Sequence, residues 1–148
     1  MTTTDTATTP TQTTPTDTPT DTAAAIDRFL AAIAAGTPDS SLVTPDCTID
    51  ATVPNWRFQA RGAIAATSVL QDWYANPARY EELDRVPVPG GEIVTFFLTW
   101  QERGMPFAAH QAHVIAVRDG RIASDKVFCG GRWNAQRLAE MGAAADAH

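Results

Sequence analysis

Between Glu92 and Trp133 the chain alternates apolar and polar residues across two short turns, Arg103-Gly104 and Asp119-Gly120, and no other stretch restricts its fold so tightly. Alternation sends successive side chains to opposite faces of a strand. A Gly-containing pair between two such runs closes a two-residue hairpin with positive φ at both centres. Three antiparallel strands are therefore expected, and folding both turns as two-residue loops fixes their register. Val94, Phe96, Leu98 and Trp100 then share a face with Phe107, Ala109, Gln111, His113, Ile115 and Val117, and with Ile122, Ser124, Lys126 and Phe128. Thr95, Phe97, Thr99, His110, Ala112, Val114, Ala116, Arg118, Arg121, Ala123 and Asp125 take the other face. The first set is bulkier and is expected to line the core, with Gln111, His113 and Lys126 as its main polar groups.

His110 and His113 are three apart on a strand and so point to opposite faces, which argues against one metal ion taking both. No metal site is expected, and nothing resembles a nucleophile elbow, a phosphate-binding loop or a dinucleotide fingerprint, so no cofactor is expected either. The 148 residues carry a formal net charge of −6, which fits one domain and argues against non-specific nucleic-acid binding. The longest apolar-looking run, Ala23 to Ala35, is interrupted by Asp27 and Arg28 and is too short and polar to span a bilayer. With no basic-then-apolar leader at the N-terminus, a cytoplasmic location is the expectation. Cys47 and Cys129 stand alone and read as two reduced thiols.

Residues 1–20 are almost entirely Thr, Pro, Asp and Ala, with nothing large to bury, and read as a disordered tail before a folded domain over 21–148. A helix follows, capped by Asp21 or Thr22 and ended by Gly36, with Ile26, Phe29, Leu30 and Ile33 as its buried stripe. Cys47 to Val53 alternates as a strand with Cys47, Ile49, Ala51 and Val53 on one side, and Trp56 to Gln59 reads as its return. Gly62 to Ala75 is a second helix, Tyr80 to Val88 a weaker strand, and Trp133 to Ala145 a C-terminal helix with Leu138 and Met141 inward. This order predicts an α+β fold in which a curved antiparallel sheet wraps over N-terminal helices as a cone-shaped barrel with an apolar pocket.

The run His113-Val114-Ile115-Ala116-Val117-Arg118-Asp119-Gly120-Arg121-Ile122 resembles the hairpin of the SnoaL-like branch of the nuclear transport factor 2-like superfamily. Pro45 to Pro54 is similar to that superfamily's first strand, and Phe58 to Ala65 to the approach, through a glycine, to its pocket-flanking helix. The resemblance covers about Ala23 to Trp133. It implies the cone fold, whereas the chemistry on that fold ranges from isomerases, cyclases, epoxide hydrolases and dehydratases to non-catalytic modules. Ketosteroid isomerases use an aspartate base on the first strand and an oxyanion hole of a tyrosine and a protonated aspartic acid. Here the base position holds Ala51, Asp50 faces the other side, and the first helix has no tyrosine. A one-residue bulge would be needed to turn Asp50 or Asp125 inward. The resemblance to the SnoaL-type cyclases matches their pocket histidine to His113.

His113 is thus the candidate catalytic residue, because an imidazole passes protons near neutral pH; a core histidine satisfied by Gln111 is the plainer reading. Gln111, Lys126, Trp56, Phe96, Trp100, Phe128 and Arg132 are the candidate ligand-binding residues. Lys126 would face a developing oxyanion, the aromatics would form a wall, and Arg132, after Gly130-Gly131, would clamp an anion. The partners expected are a small apolar ligand and a second copy of the chain, paired through the smooth outer set Ala112, Val114, Ala116 and Ala123. The function expected is small-molecule binding, with cofactor-independent isomerisation, cyclisation or dehydration as one class and a non-catalytic ligand-binding or dimerisation module as the other.

Overall fold

The computed structural model describes residues 17–147. Helix α1 (Pro19–Ala35) starts earlier than the two caps read from sequence. Thr18 is its N-cap: the Thr18 hydroxyl accepts from the Asp21 amide at 3.1 Å and the Asp21 carboxylate accepts from the Thr18 amide at 3.2 Å, so two otherwise orphaned donors are satisfied. Asp17 reaches further, accepting from the Gly120 amide at 3.0 Å. The last residues assigned to a tail therefore belong to the folded body; the rest of that expectation falls on residues 1–16, outside the described residues. Gly36 ends the helix at φ 73°, the left-handed C-cap that glycine adopts without strain.

A short 3-10 turn, Ser40–Leu42, leads into β1 (Val43–Val53) and β2 (Trp56–Arg61). Helix α2 (Ala63–Trp73) precedes the meander β3 (Ala78–Val88), β4 (Gly91–Glu102), β5 (Met105–Arg118) and β6 (Arg121–Asn134), and α3 (Ala135–Asp146) closes the order. The six strands form one curved, unclosed sheet in the order β2-β1-β6-β5-β4-β3. Hairpin-linked neighbours run antiparallel, as the turns require. β1 and β6 are joined by no turn, and they pair in parallel, which makes the sheet mixed rather than wholly antiparallel. Helices α1 and α2 fill the inner face. Ile26, Phe29 and Ile33 of α1 and Ala66 and Leu70 of α2 pack there against Ile49, Val94, Phe96, Ile115, Ile122 and Val127, all buried.

The turns behave as their sequences dictate: Arg103 and Gly104 sit at φ 52° and 76°, Asp119 and Gly120 at 55° and 70°. The β4–β5 register follows, with Val94 opposite His113, Phe96 opposite Gln111 and Trp100 opposite Phe107. Between β5 and β6 the expected register holds only for Val117 opposite Ile122 and Arg118 opposite Arg121. Ala116 then pairs with Ser124, leaving Ala123 as an extra residue in β6. From that bulge to Cys129 the side chains of β6 change face. Asp125 and Val127 turn into the core, while Lys126 and Phe128 turn outward, which corrects the inward placement read for them from sequence.

Helix α3 was expected to bury Leu138 and Met141, and both are only half-buried. A buried carboxylate ties α1 to the sheet at the opposite end. Glu92 is 3% exposed and accepts from Arg85 Nε at 2.8 Å and from a second guanidinium nitrogen at 2.9 Å, while the third nitrogen pairs with Asp27 of α1. Those carboxylates push the Arg85 guanidinium further toward its charged form.

Candidate functional site

The bulge at Ala123 brings two ionisable side chains together inside the core. Asp125 Oδ2 lies 2.8 Å from His113 Nδ1, and both side chains are 1% exposed. Phe96 stacks on the imidazole at 5.1 Å between centroids, and Phe29 of α1 meets its edge at 6.0 Å. The other ring nitrogen, Nε2, is 3.0 Å from Gln111 Oε1, and that oxygen also accepts from the Tyr74 hydroxyl at 2.5 Å. Tyr74 Oη is in turn 3.4 Å from His113 Nε2. Gln111 Nε2 donates to Cys129 Sγ at 3.4 Å. A polar chain thus runs from Asp125 through His113 and Gln111 to Cys129, with Tyr74 braced against its middle.

Proton positions along this chain follow from the acceptors. Gln111 Oε1 can only accept, so its 3.0 Å contact with His113 is a hydrogen bond when Nε2 carries the proton. Asp125 takes the Nδ1 side of the ring, so each of these buried polar groups has a partner. Burial, and next the charge of Asp125, push the Tyr74 hydroxyl well above its ordinary pKa and keep it a donor. Burial pushes the Cys47 thiol up to about 12, with help from Asp125 and Asp46. Among the described residues Asp125 Oδ1 has no hydrogen-bond partner, and it is buried.

Of this chain, Gln111 and Cys129 reach a cleft of about 310 Å³, walled by Val53, Trp73, Trp100 and Arg132. A second β6 bulge shapes its edge: Gly130 and Gly131 stand where β5 offers only His110, and Gly131 adopts φ 119°. Gly130 and Gly131 therefore lie within β6. Arg132 stacks over Phe107 at 4.4 Å and is paired with Glu102, which also accepts from Trp100 Nε1 at 3.1 Å. A wider groove of about 670 Å³ opens on the far side of Trp100, between β3, β4, β5 and α3, and takes none of the buried polar groups.

Gln111, Trp100 and Arg132 therefore line the cleft. His113 is fully buried one side chain beneath it, and Phe96 packs on His113 rather than on the cleft. Trp56 is 70% exposed at the β1–β2 turn, and Lys126 and Phe128 are on the outer face, so these three do not join the others. Asp50 also faces outward, where Arg57 grips it at 2.6 and 2.9 Å and holds its carboxyl below the usual range. His110 stands beside Phe97 on the outer face, apart from His113. Tyr74 was missed from sequence. The spacing Ala66, Leu70, Tyr74 continues the buried stripe of α2 by four residues each time, a signal that would have found it.

No family model matches the sequence, and no curated protein matches it. Solved structures do match in fold. An NTF2-like protein from Anabaena variabilis superposes with a TM-score of 0.64 at 16% identity, over 76% of this chain and 88% of that one. An NTF2-like protein from Mesorhizobium loti gives 0.57 at 22%, over 79% and 97%. A steroid delta-isomerase from Pseudomonas aeruginosa gives 0.56 at 18%, over 91% and 97%. The chain thus has the cone fold of the nuclear transport factor 2-like proteins, as its sequence resemblance implied.

Proposed function

We propose that this protein binds a small, largely apolar molecule in the cleft between Trp73, Trp100 and Gln111. The observation that carries this is the buried His113–Asp125 pair, which a strand bulge assembles behind Gln111, the residue that lines the cleft. Burying an ion pair is a poor route to stability compared with apolar packing. Bulges collect beside sites where a side chain must be re-aimed. At about 310 Å³ the cleft suits a molecule of one or two fused rings.

Cofactor-independent proton transfer, as in isomerisation, cyclisation or dehydration, is the second reading, and the Nε2 proton of His113 favours it. That proton lies one side chain below the cleft, so a shift of Gln111 would open it to a ligand. The steroid delta-isomerase among the fold neighbours agrees with this class, although Ala51 stands where the resemblance puts that chemistry's base. The test is titration of small ring compounds into wild type and His113→Ala, followed by turnover assays on every compound that binds. Binding should weaken in the variant by about 1–2 kcal/mol, the scale of a disturbed buried hydrogen bond. An enzyme should lose roughly a hundredfold or more in rate. Wild type that binds none of them contradicts the proposal.

The protein is also proposed to pair with a second copy through the outer sheet face. Val86, Ile93 and Val114 form one row across β3, β4 and β5, each at least 37% exposed; Lys126 continues that row on β6, and Phe128, opposite Ala112, lies diagonal to Val114. An exposed apolar row of this kind on an acidic protein calls for a partner. Val114→Glu should give a monomer by light scattering where wild type gives a dimer, and a monomeric wild type at micromolar concentration would end the idea.

A further inference from the structure

We infer that Gln111 selects the ligand, presenting an amide N–H to the cleft and so demanding a neutral hydrogen-bond acceptor, such as a carbonyl oxygen. This rests on the cleft being the ligand site. A glutamine amide offers donors from one end and an acceptor from the other, and on a free side chain the two exchange by rotation. Here they do not exchange. The Tyr74 hydroxyl donates into Oε1 at 2.5 Å and His113 Nε2 approaches the same oxygen at 3.0 Å, so turning the amide over would set its N–H groups against the Tyr74 donor.

His113 is no weaker a lock than Tyr74. Its Nδ1 side is held by Asp125 at 2.8 Å, which fixes the ring with Nε2 aimed at Gln111. Asp125 thus acts on the cleft through two intervening side chains, which accounts for a fully buried acid–imidazole pair that touches no ligand. The Gln111 amide nitrogen is left facing Cys129 and the cleft. One of its two N–H groups goes to Cys129 Sγ at 3.4 Å, and the other is the donor available to a ligand. The competing donors nearby, Arg132 and Trp100 Nε1, are turned to Glu102. Asp72 lines the cleft, and Arg132, the one cation among the described residues that does, is paired with Glu102, so the cleft offers a carboxylate ligand little net attraction.

Three matched ring compounds read the inference: indane, indanone and aminoindane, titrated into wild type, Gln111→Glu and Tyr74→Phe. Gln111→Glu keeps an oxygen for Tyr74 and His113 and replaces only the cleft-facing donor by an acceptor. Wild type should bind indanone roughly tenfold more tightly than indane, the value of one good buried hydrogen bond. In Gln111→Glu that preference should vanish, and aminoindane should gain roughly tenfold over its wild-type affinity. Tyr74→Phe, which removes half of the lock, should narrow the indanone-to-indane ratio while leaving the dissociation constant of indane unchanged; a merely structural role for Tyr74 would move both compounds together. Equal binding of indane and indanone by wild type overturns the inference and leaves the cleft standing. So does a Gln111→Glu variant that keeps the ketone preference. Failure of all three compounds to bind wild type overturns the cleft as the ligand site as well. Should Gln111→Glu not fold, the Tyr74→Phe ratio decides alone, an unchanged ratio counting against the inference.

Discussion

Asp125→Ala is expected to cost about 3 kcal/mol or more of folding stability, because it strands a fully buried imidazole whose partner has been removed. No water reaches Nδ1 to replace the carboxylate, and Phe29 and Phe96 leave the ring nowhere to move. Asp125→Asn should cost far less, about 1 kcal/mol, since its amide can donate to a bare Nδ1 while Nε2–H continues to serve Gln111. Denaturant unfolding of the three proteins measures the difference. Domains of this size are stable by only about 5–15 kcal/mol, so the alanine variant should be visibly weakened. Two variants of equal, small effect would place Asp125 outside the pair and remove the bulge from the account.

The second large effect is expected at the other end of the sheet. Glu92 has a side chain only 4% exposed, and Arg85 holds both of its oxygens in a fork. Arg85→Leu leaves that carboxylate buried and unpaired and should destabilise by about 3–5 kcal/mol. Adding Glu92→Met should restore most of the loss, because an apolar pair of similar volume replaces a buried ion pair at little or no cost. The non-additivity of the two substitutions is the readout. A double variant as unstable as Arg85→Leu alone would show that Arg85 matters for its contacts with α1 through Asp27 and the Ala23 carbonyl, rather than for Glu92.

The contrast between β4–β5 and β5–β6 shows where the sequence is readable. Arg103-Gly104 sets a turn and no irregularity follows it, so every pair from Gly91–Ala116 to Glu102–Met105 follows from alternation alone. Asp119-Gly120 sets its turn equally well, but Ala123 adds a residue a few positions later. Ala123 and Ser124 are small and fit either face, so nothing local marks the extra residue. The mark lies further on. Keeping the register puts Lys126 in the middle of an apolar row and leaves Val127 outside, and shifting it by one exchanges them. A lysine at a core position is the signal that favours the bulge over the unbroken register, and with the bulge comes Asp125. The helical contribution was legible to different degrees. Ile26, Phe29, Leu30 and Ile33 announce the buried stripe of α1, whereas Tyr74 caps α2 just before Asn76-Pro77, where a turn signal masks a core residue. Hydrogen bonding between Tyr74, Gln111 and His113 joins α2 to β5 across 37 residues or more, a distance over which periodicity carries no information.

The most direct test of the account is an indanone titration of isotope-labelled protein followed through backbone amide, glutamine amide and indole N–H resonances. The account predicts that shifts concentrate on the Gln111 side-chain amide, on Ala109 and Cys129, and on the indoles of Trp73 and Trp100, while Lys126 and Phe128 on the outer face stay still. Shifts gathered on the outer face, or around Pro77 and Leu138 in the wider groove with the Gln111 amide unmoved, would contradict it.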